Sequence, residues 1–282
     1  MEPPAHRTLL LHVQYDGTDF CGWQYQPRQR TVQGELMARI GAMVHHPVDL
    51  QASSRTDAGV HAQAMPVVFD TPRTIPPRGF LRGLNVNLPP DLSVLDVSEQ
   101  PFGFRPRDAS VAKTYLYRYQ LGSRRALHDR YTWWLRRPSL NIEAMRAGAM
   151  HFVGEHDFEA FRSIHCDSRS TERFIHDINL SDPDEDEVVT LTITGNAFLR
   201  NMVRIMAGSL FNVGLGRLPP DWIPAAIASG RRQDGSQTAP ASGLMLAKVH
   251  FSGYPRIAKR PMPQLGADPA QPVGQLPTLE PS

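Results

Sequence analysis

The chain has 282 residues, 41% hydrophobic and 21% charged, with a formal net charge of +2. That composition is of a globular protein able to bury a core, and it excludes fibrous and low-complexity chains. No run approaches the roughly 18 apolar residues of a membrane span, and Met1-Glu2-Pro3-Pro4 has no apolar signal core, so the expectation is a cytoplasmic protein without membrane contact.

In chain order, Leu9 to Tyr15 predicts a first strand, and a loop rich in Gly, Pro and Gln follows. Val32, Leu36, Ile40 and Met43 recur at helical spacing behind Thr31, a candidate N-cap, and predict a helix over 32–44. Strands are expected over 48–53 and 65–69, a short helix near 77–84 and a strand near 93–97. Strict alternation over 111–121 places Tyr115, Tyr117 and Tyr119 on one strand face. A helix over 142–152 should stop at Gly154, and 171–180 with 188–194 should form a hairpin across the acidic loop 182–187. The pattern over 197–213 predicts a helix with a Leu199, Val203, Met206, Leu210 stripe and with Arg200 and Arg204 on one face at i,i+4. A last strand is expected over 244–251, and the Pro-rich stretch beyond 254 predicts a disordered tail.

Strands of antiparallel habit interleaved with a few helices predict an α+β architecture of two packed halves. The expected division is a flexible N-terminus over 1–7, an N-terminal half over 8–108, a C-terminal half over 109–253 and the tail over 254–282.

Charge is distributed unevenly by type. Lys113, Lys248 and Lys259 are the only lysines among 30 basic Lys and Arg side chains. Arginine makes bidentate contacts to phosphate and stacks on bases. With Asp182, Asp184, Glu185, Asp186 and Glu187 collected in one loop, the remaining surface is expected to be basic. Cys21 and Cys166 lie far apart, and the histidines lack a third and fourth ligand at usable spacing, so no metal site is expected. There is no phosphate-cradling glycine loop, which argues against nucleotide hydrolysis and hydride transfer.

The segment Ser53-Ser54-Arg55-Thr56-Asp57-Ala58-Gly59-Val60-His61-Ala62 carries the most chemistry. A carboxylate on a strand-to-loop corner beside a guanidinium is presented and kept ionised, so Asp57 is a candidate nucleophile, general base or metal ligand. A turn-stabilising role is the competing reading. Tyr115 either packs a strand face or stacks on a base and moves a proton. Arg204, one position off an apolar stripe, either snorkels to the surface or pairs with a carboxylate in a cleft.

These segments together resemble the TruA family of tRNA pseudouridine synthases. The resemblance is carried by Tyr15-Asp16-Gly17-Thr18 with Gly22-Trp23-Gln24, by Thr31-Val32-Gln33-Gly34-Glu35-Leu36, by the Asp57 segment, and by Asn85-Val86-Asn87-Leu88-Pro89. It continues through Phe104-Arg105-Pro106-Arg107-Asp108-Ala109, Lys113-Thr114-Tyr115-Leu116-Tyr117 and Gly154-Glu155-His156-Asp157-Phe158. Gly195-Asn196-Ala197-Phe198-Leu199-Arg200-Asn201-Met202-Val203-Arg204 and Thr238-Ala239-Pro240-Ala241-Ser242-Gly243-Leu244 complete it, in order, over about 9–251. The resemblance implies an isomerase that converts uridine to pseudouridine in the anticodon stem-loop of tRNA, with neither cofactor nor metal. It implies two α+β halves with antiparallel sheets around a positively charged cleft, working as a homodimer. By the same resemblance Asp57 is the essential carboxylate, Tyr115 the active-site tyrosine and Arg204 the ion-pair partner of Asp57. Arg55 helps displace the target base, and His61 and Leu244 are substrate-binding candidates.

Overall fold

Ten strands share one sheet among the residues that the computed structural model describes, namely 6–123, 129–136, 139–164, 166, 168–232 and 235–255. The strands are β1 (Arg7–Tyr15), β2 (Gln51–Ala52), β3 (His61–Thr71), β4 (Leu92–Gln100), β5 (Ala112–Gln120), β6 (Trp133–Trp134), β7 (Gly154–Asp157), β8 (Glu172–Leu180), β9 (Val188–Gly195) and β10 (Leu244–His250). The helices are α1 (Val32–Val44), α2 (Pro77–Asn87), α3 (Pro106–Ala109), α4 (Ile142–Met150), α5 (Met202–Gly214) and α6 (Trp222–Ser229). The sheet runs β4-β1-β3-β10-β5-β9-β8-β7, with β2 on β3 and β6 on β5. Neighbours are antiparallel except at β3/β10, where Met245 pairs with His61 and Leu246 with Ala62, and at β5/β6. The fold is thus mixed α and β with a large, mostly antiparallel sheet.

Local chemistry accounts for the main elements. The Thr31 hydroxyl accepts from the Gly34 N–H at 3.2 Å and caps α1, whose Val32, Leu36, Ile40 and Val44 are all fully buried against the sheet. Ten of the thirteen residues of α5 are buried, and the Tyr119 hydroxyl donates to the Ala207 carbonyl at 2.8 Å, fastening that helix to β5. Tyr117 and Tyr119 meet in the core with ring centres 5.0 Å apart and planes tilted by 56°.

Several boundaries differ from the sequence expectation. Strand 48–53 shrinks to β2, whereas 65–69 extends back to His61, because His61 and Ala62 are buried in β3 despite their polar or small character. Helix α4 ends at Met150, and Gly154, at φ 104°, opens β7 instead of capping the helix. The helix expected from 197 begins only at Met202, since Asn201 adopts the left-handed conformation at φ 61°. Helix α6 was not foreseen: its Pro224 lies in the first turn, where the missing N–H costs nothing. Arg7 opens β1 rather than belonging to a loose terminus, and its guanidinium bonds the Arg73 carbonyl and Glu99. The tail expected beyond 254 falls, from 256 onward, outside the described residues.

The loop between β2 and β3 is held from below by the loop after β1. Trp23 N–H donates to the Thr56 carbonyl at 3.0 Å, Gly59 N–H to the Phe20 carbonyl at 3.3 Å, and the Tyr15 and Thr56 hydroxyls bond at 2.8 Å. At Gly22, φ is 92° and a Cβ would stand 2.8 Å from the Thr56 carbonyl oxygen. The Asp16 carboxylate accepts from the Thr18 N–H and hydroxyl at 3.0 and 2.6 Å, and lies 3.3 Å from Arg130 Nε and 3.2 Å from His61 Nδ1. Burial opposes ionisation of Asp16, but the Thr18 bonds, with the neighbouring His61 and Arg130, outweigh it and hold the carboxyl below its usual range. Burial pushes His61 below its ordinary value although Asp16 stands beside it, and burial lowers His176 and His250 as well.

Two stability outcomes are expected. Gly22→Ala combines a left-handed backbone with a collision and costs about 1–3 kcal/mol, while Gly103→Ala, at φ 82° in open space, costs only about 1 kcal/mol. Urea midpoints at unchanged m-value read the difference. The three histidines have folded values below the unfolded 6.5, so the unfolded chain binds more protons in that window. This contribution to stability is therefore complete above pH 6.5, and the thermal midpoint should fall as the pH drops below 6.5. Replacing His176 and His250 by Gln should make that decline shallower.

Candidate active site

Asp57 sits at the apex of the clamped loop, where its carbonyl accepts from the Val60 N–H at 3.1 Å to close a tight turn. Its side chain keeps 32% of its exposure, so the carboxylate is presented at a surface rather than packed. Lys113 Nζ donates to the Ser53 carbonyl at 2.7 Å, and the Ser54 hydroxyl bonds the Tyr115 hydroxyl at 3.1 Å. The start of the loop is thereby tied to β5, which brings Tyr115 beside Asp57.

The structure brings Tyr115, Arg200 and Arg204 to this carboxylate. Burial drives the Tyr115 phenol up to about 12; its bond to Ser54 opposes this and the charge of Asp57 adds to it. Tyr115 is therefore a neutral phenol at neutral pH, edge-on to Phe198 at 5.1 Å between ring centres. Arg204 lies in the first turn of α5. Its Nε donates to the Ala239 carbonyl at 2.7 Å and its Nη1 to Asn201 Oδ1 at 3.0 Å. Burial lowers its pKa, and the negative charge of Asp57 pulls the other way, which places the two within electrostatic reach.

The direct ion pair is made by a different arginine. Arg200 Nε stands 3.5 Å from Asp57 Oδ1, with 54% of the Arg200 side chain exposed. Among the described residues Arg204 makes no ion pair with Asp57 within 4 Å, which corrects the expected pairing: two of its nitrogens are committed to Ala239 and Asn201. The left-handed turn at Asn201 separates Arg200 from the helix, so the two arginines do not share a helix face but converge on one carboxylate from a loop and from a helix.

The remaining expected residues are placed differently from one another. Arg55 is exposed two residues before Asp57 on the same loop. His61 is fully buried; its Nδ1 accepts from the Gly17 N–H at 3.0 Å and its ring meets Tyr131 edge-on at 4.9 Å, so it lies beneath the loop rather than presented with the carboxylate. Leu244 is buried at the head of β10, opposite Tyr117 and next to the Met245–His61 pair. Sequence reasoning missed Arg200, Ser54, Phe198 and Asn201 as site residues. Arg200 was legible as a cation near Arg204, but the irregular segment that aims it was not.

Chemically, one presented carboxylate faces two guanidinium groups and a neutral phenol. Glycoside hydrolysis uses two cooperating carboxylates, and no second carboxylate contacts Asp57 among the described residues. A single carboxylate next to two guanidinium groups suits attack on, or proton removal from, a sugar whose leaving group stays in the pocket.

Residues 11–107 and 149–252 match the tRNA pseudouridine synthase family. A tRNA pseudouridine synthase A of Geotalea daltonii is 42% identical over 245 residues, covering 87% of this chain and 100% of the relative. One of Geobacter sulfurreducens is 43% identical over the same length and coverage. The crystal structure of a Cbf5-Nop10-Gar1 complex aligns at 11% identity and a TM-score of 0.35, covering 84% of this chain and 57% of that chain, too distant to add to the fold described above. With both stretches matched and the relatives covered end to end, the chain belongs to the tRNA pseudouridine synthase family.

Proposed function

We propose that this isomerase, which acts on uridine in tRNA as its family does, modifies uridines of the anticodon stem-loop with Asp57 as the essential carboxylate. The observation that carries the reading is the Asp57 loop itself: a carboxylate about one-third exposed on a clamped turn, beside Arg200 at 3.5 Å and within electrostatic reach of the half-buried Arg204.

The reaction exchanges an N-glycosidic for a C-glycosidic bond. The C1′–N1 bond breaks with its electron pair on uracil. Asp57 either attacks C1′ to give a sugar ester or removes the C2′ proton to give a glycal. Uracil turns within the pocket and C5 bonds to C1′. This step expels the carboxylate from the ester or, in the glycal branch, takes place as Asp57 returns its proton to C2′. The C5 proton then leaves and N1 gains one, so that substrate and product are isomers. Arg204, held by Ala239 and Asn201, stabilises charge on Asp57 without having to move. A phenol at about 12 is ionised in only about one molecule in 10⁵ at pH 7. Tyr115 therefore acts as a stacking surface and hydrogen-bond donor, and passes the C5 proton through a solvent molecule held by its hydroxyl. Arg55, exposed beside Asp57, fills the gap left by the displaced base, since extrusion costs a few kcal/mol and is easiest in loops and at stem ends. His61 supports the loop from below and Leu244 forms part of the pocket wall. The family resemblance supports two α+β halves flanking a positive cleft, a homodimer that holds one tRNA across both subunits, and action in the cytoplasm.

Tritium release from C5-labelled uridine in unmodified tRNA tests the assignment. Asp57→Ala should lower the single-turnover rate by at least about 10³-fold with tRNA affinity retained; normal release by this variant would sink the role of Asp57. Arg204→Gln should cost about 10²–10³-fold. Tyr115→Phe should keep affinity and slow proton release by about 10²–10⁴-fold, whereas Tyr115→Ala should weaken binding as well. Free uracil in the wild-type reaction would point to hydrolysis instead. Mapping of pseudouridines in tRNA from cells with and without the protein checks the anticodon stem-loop.

A further inference from the structure

A second cavity of about 580 Å³ opens beside the Asp57 site, lined by Ser163, Ile164, Asn201, Arg231, Arg232 and Thr238. It shares a wall with the carboxylate's arginines. The Ser163 N–H donates to the Arg200 carbonyl at 3.0 Å, and Asn201 Oδ1 accepts from Arg204 Nη1 at 3.0 Å. Ala239, the residue after Thr238, exchanges two bonds with Arg204, its N–H to the Arg204 carbonyl at 3.1 Å and its carbonyl from Nε at 2.7 Å. Two of the six lining residues are thus bonded to the residues that face Asp57, and a third, Thr238, precedes Ala239, which is bonded to Arg204.

The lining describes a ligand. Its volume lies in the range of pockets that hold nucleotide-sized molecules. Arg231 and Arg232, consecutive in sequence, both line it; one Arg232 nitrogen donates to the Ser236 carbonyl at 3.4 Å, and a guanidinium keeps further donors with which to engage a phosphodiester. Helix α5 starts immediately after the lining Asn201, so the positive end of its dipole adds to those charges. Ile164 is 79% exposed on the same cavity, an apolar face with no polar atom to satisfy, against which a base can lie. Ser163, Thr238 and Asn201 supply short polar side chains for a sugar or a base edge.

We propose that this cavity is a second nucleotide subsite, which takes a nucleotide of the same RNA strand neighbouring the target uridine, with its phosphate on Arg231 and Arg232 and its base against Ile164. The inference rests on the reading of the Asp57 site as one that acts on RNA. A strand splayed by removal of one base offers its neighbour unstacked, and recognition of RNA commonly proceeds by capturing such bases. Holding that neighbour would set the target ribose over Asp57 without any contact to the target itself, which is positioning by remote binding energy.

The test uses the full chain and an unmodified tRNA transcript. In Arg231→Gln/Arg232→Gln, Kd should rise about tenfold at moderate salt, and the slope of log K against log salt should flatten by about one. The single-turnover rate at saturating RNA should also fall, by about threefold to tenfold, because the target ribose is then less well held over Asp57. An unchanged Kd and salt slope would overturn the subsite. The base contact is read by a cycle with abasic transcripts, in which each nucleotide flanking the target is replaced in turn. One such replacement should weaken wild type about tenfold and leave Ile164→Ser nearly unaffected; equal losses in both proteins at every position would remove the base from the cavity. Wild-type product formation in the same samples keeps the two proposals apart. No pseudouridine from wild type defeats the functional reading, whereas product with unaltered binding in the double variant defeats the cavity alone.

Discussion

Two parallel residue pairs, Met245 with His61 and Leu246 with Ala62, carry the sheet from strands of the first hundred residues to strands of the rest. Everything at the site is referred to that seam. The Asp57 loop enters β3 at His61, on one side of it. On the other side β10 leaves the turn over 241–243, and the chain just before that turn is bonded to Arg204 through Ala239. A carboxylate and a guanidinium more than a hundred residues apart in sequence are therefore positioned by hydrogen bonds two residues long. The Asp16 cluster reinforces the seam. Its carboxylate joins buried His61 of β3 to Tyr131 and the exposed Arg130 of a later turn, and also accepts from Thr18.

The electrostatic design follows from that placement. A buried guanidinium is costly unless its donors are satisfied and a negative charge stands near. Arg204 meets the condition through one backbone carbonyl, one amide oxygen and the field of Asp57, and so stays where it is. Tyr115 meets the opposite condition: its hydroxyl is buried and bonded to Ser54 next to a carboxylate, which favours the protonated form. One element of the site is thus held charged and another held neutral by the same desolvation, with the neighbouring charge deciding the sign.

Much of this was legible in the sequence. Helix α1 is legible because Val32, Leu36, Ile40 and Met43 recur at helical spacing behind a capping threonine, a purely local pattern, although the structure buries Val44 rather than Met43 at the end of the stripe. The candidates Asp57, Tyr115 and Arg204 fall within one neighbourhood, and their motifs point to the family that the comparisons then show. What was not legible depends on single backbone states and on long-range pairing. The left-handed φ of Asn201 cannot be told from helical asparagine by composition, yet it takes Arg200 off the helix and aims it at Asp57. His61 read as a loop residue because its neighbours are polar or small, whereas pairing with Tyr15's strand and with β10 buries it completely. In α6, a proline that ordinarily ends a helix lies where a helix tolerates it.

The two arginines that meet Asp57 differ in what it costs to move them. Arg204 would leave behind a buried carbonyl and an amide without partners, each a loss of about 1–3 kcal/mol. Arg200 is more than half exposed, and an ion pair so placed is worth at most about 1 kcal/mol. A polyanionic strand brings phosphates that compete for a mobile guanidinium on better terms than one carboxylate does, because bidentate phosphate contacts also release condensed counterions. The division of labour is therefore set by burial. The inner arginine is held beside the carboxylate by two hydrogen bonds, while the outer one meets it through an exposed ion pair. A single arginine could not do both, since the solvation that makes Arg200 easy to displace is what Arg204 had to give up to be fixed.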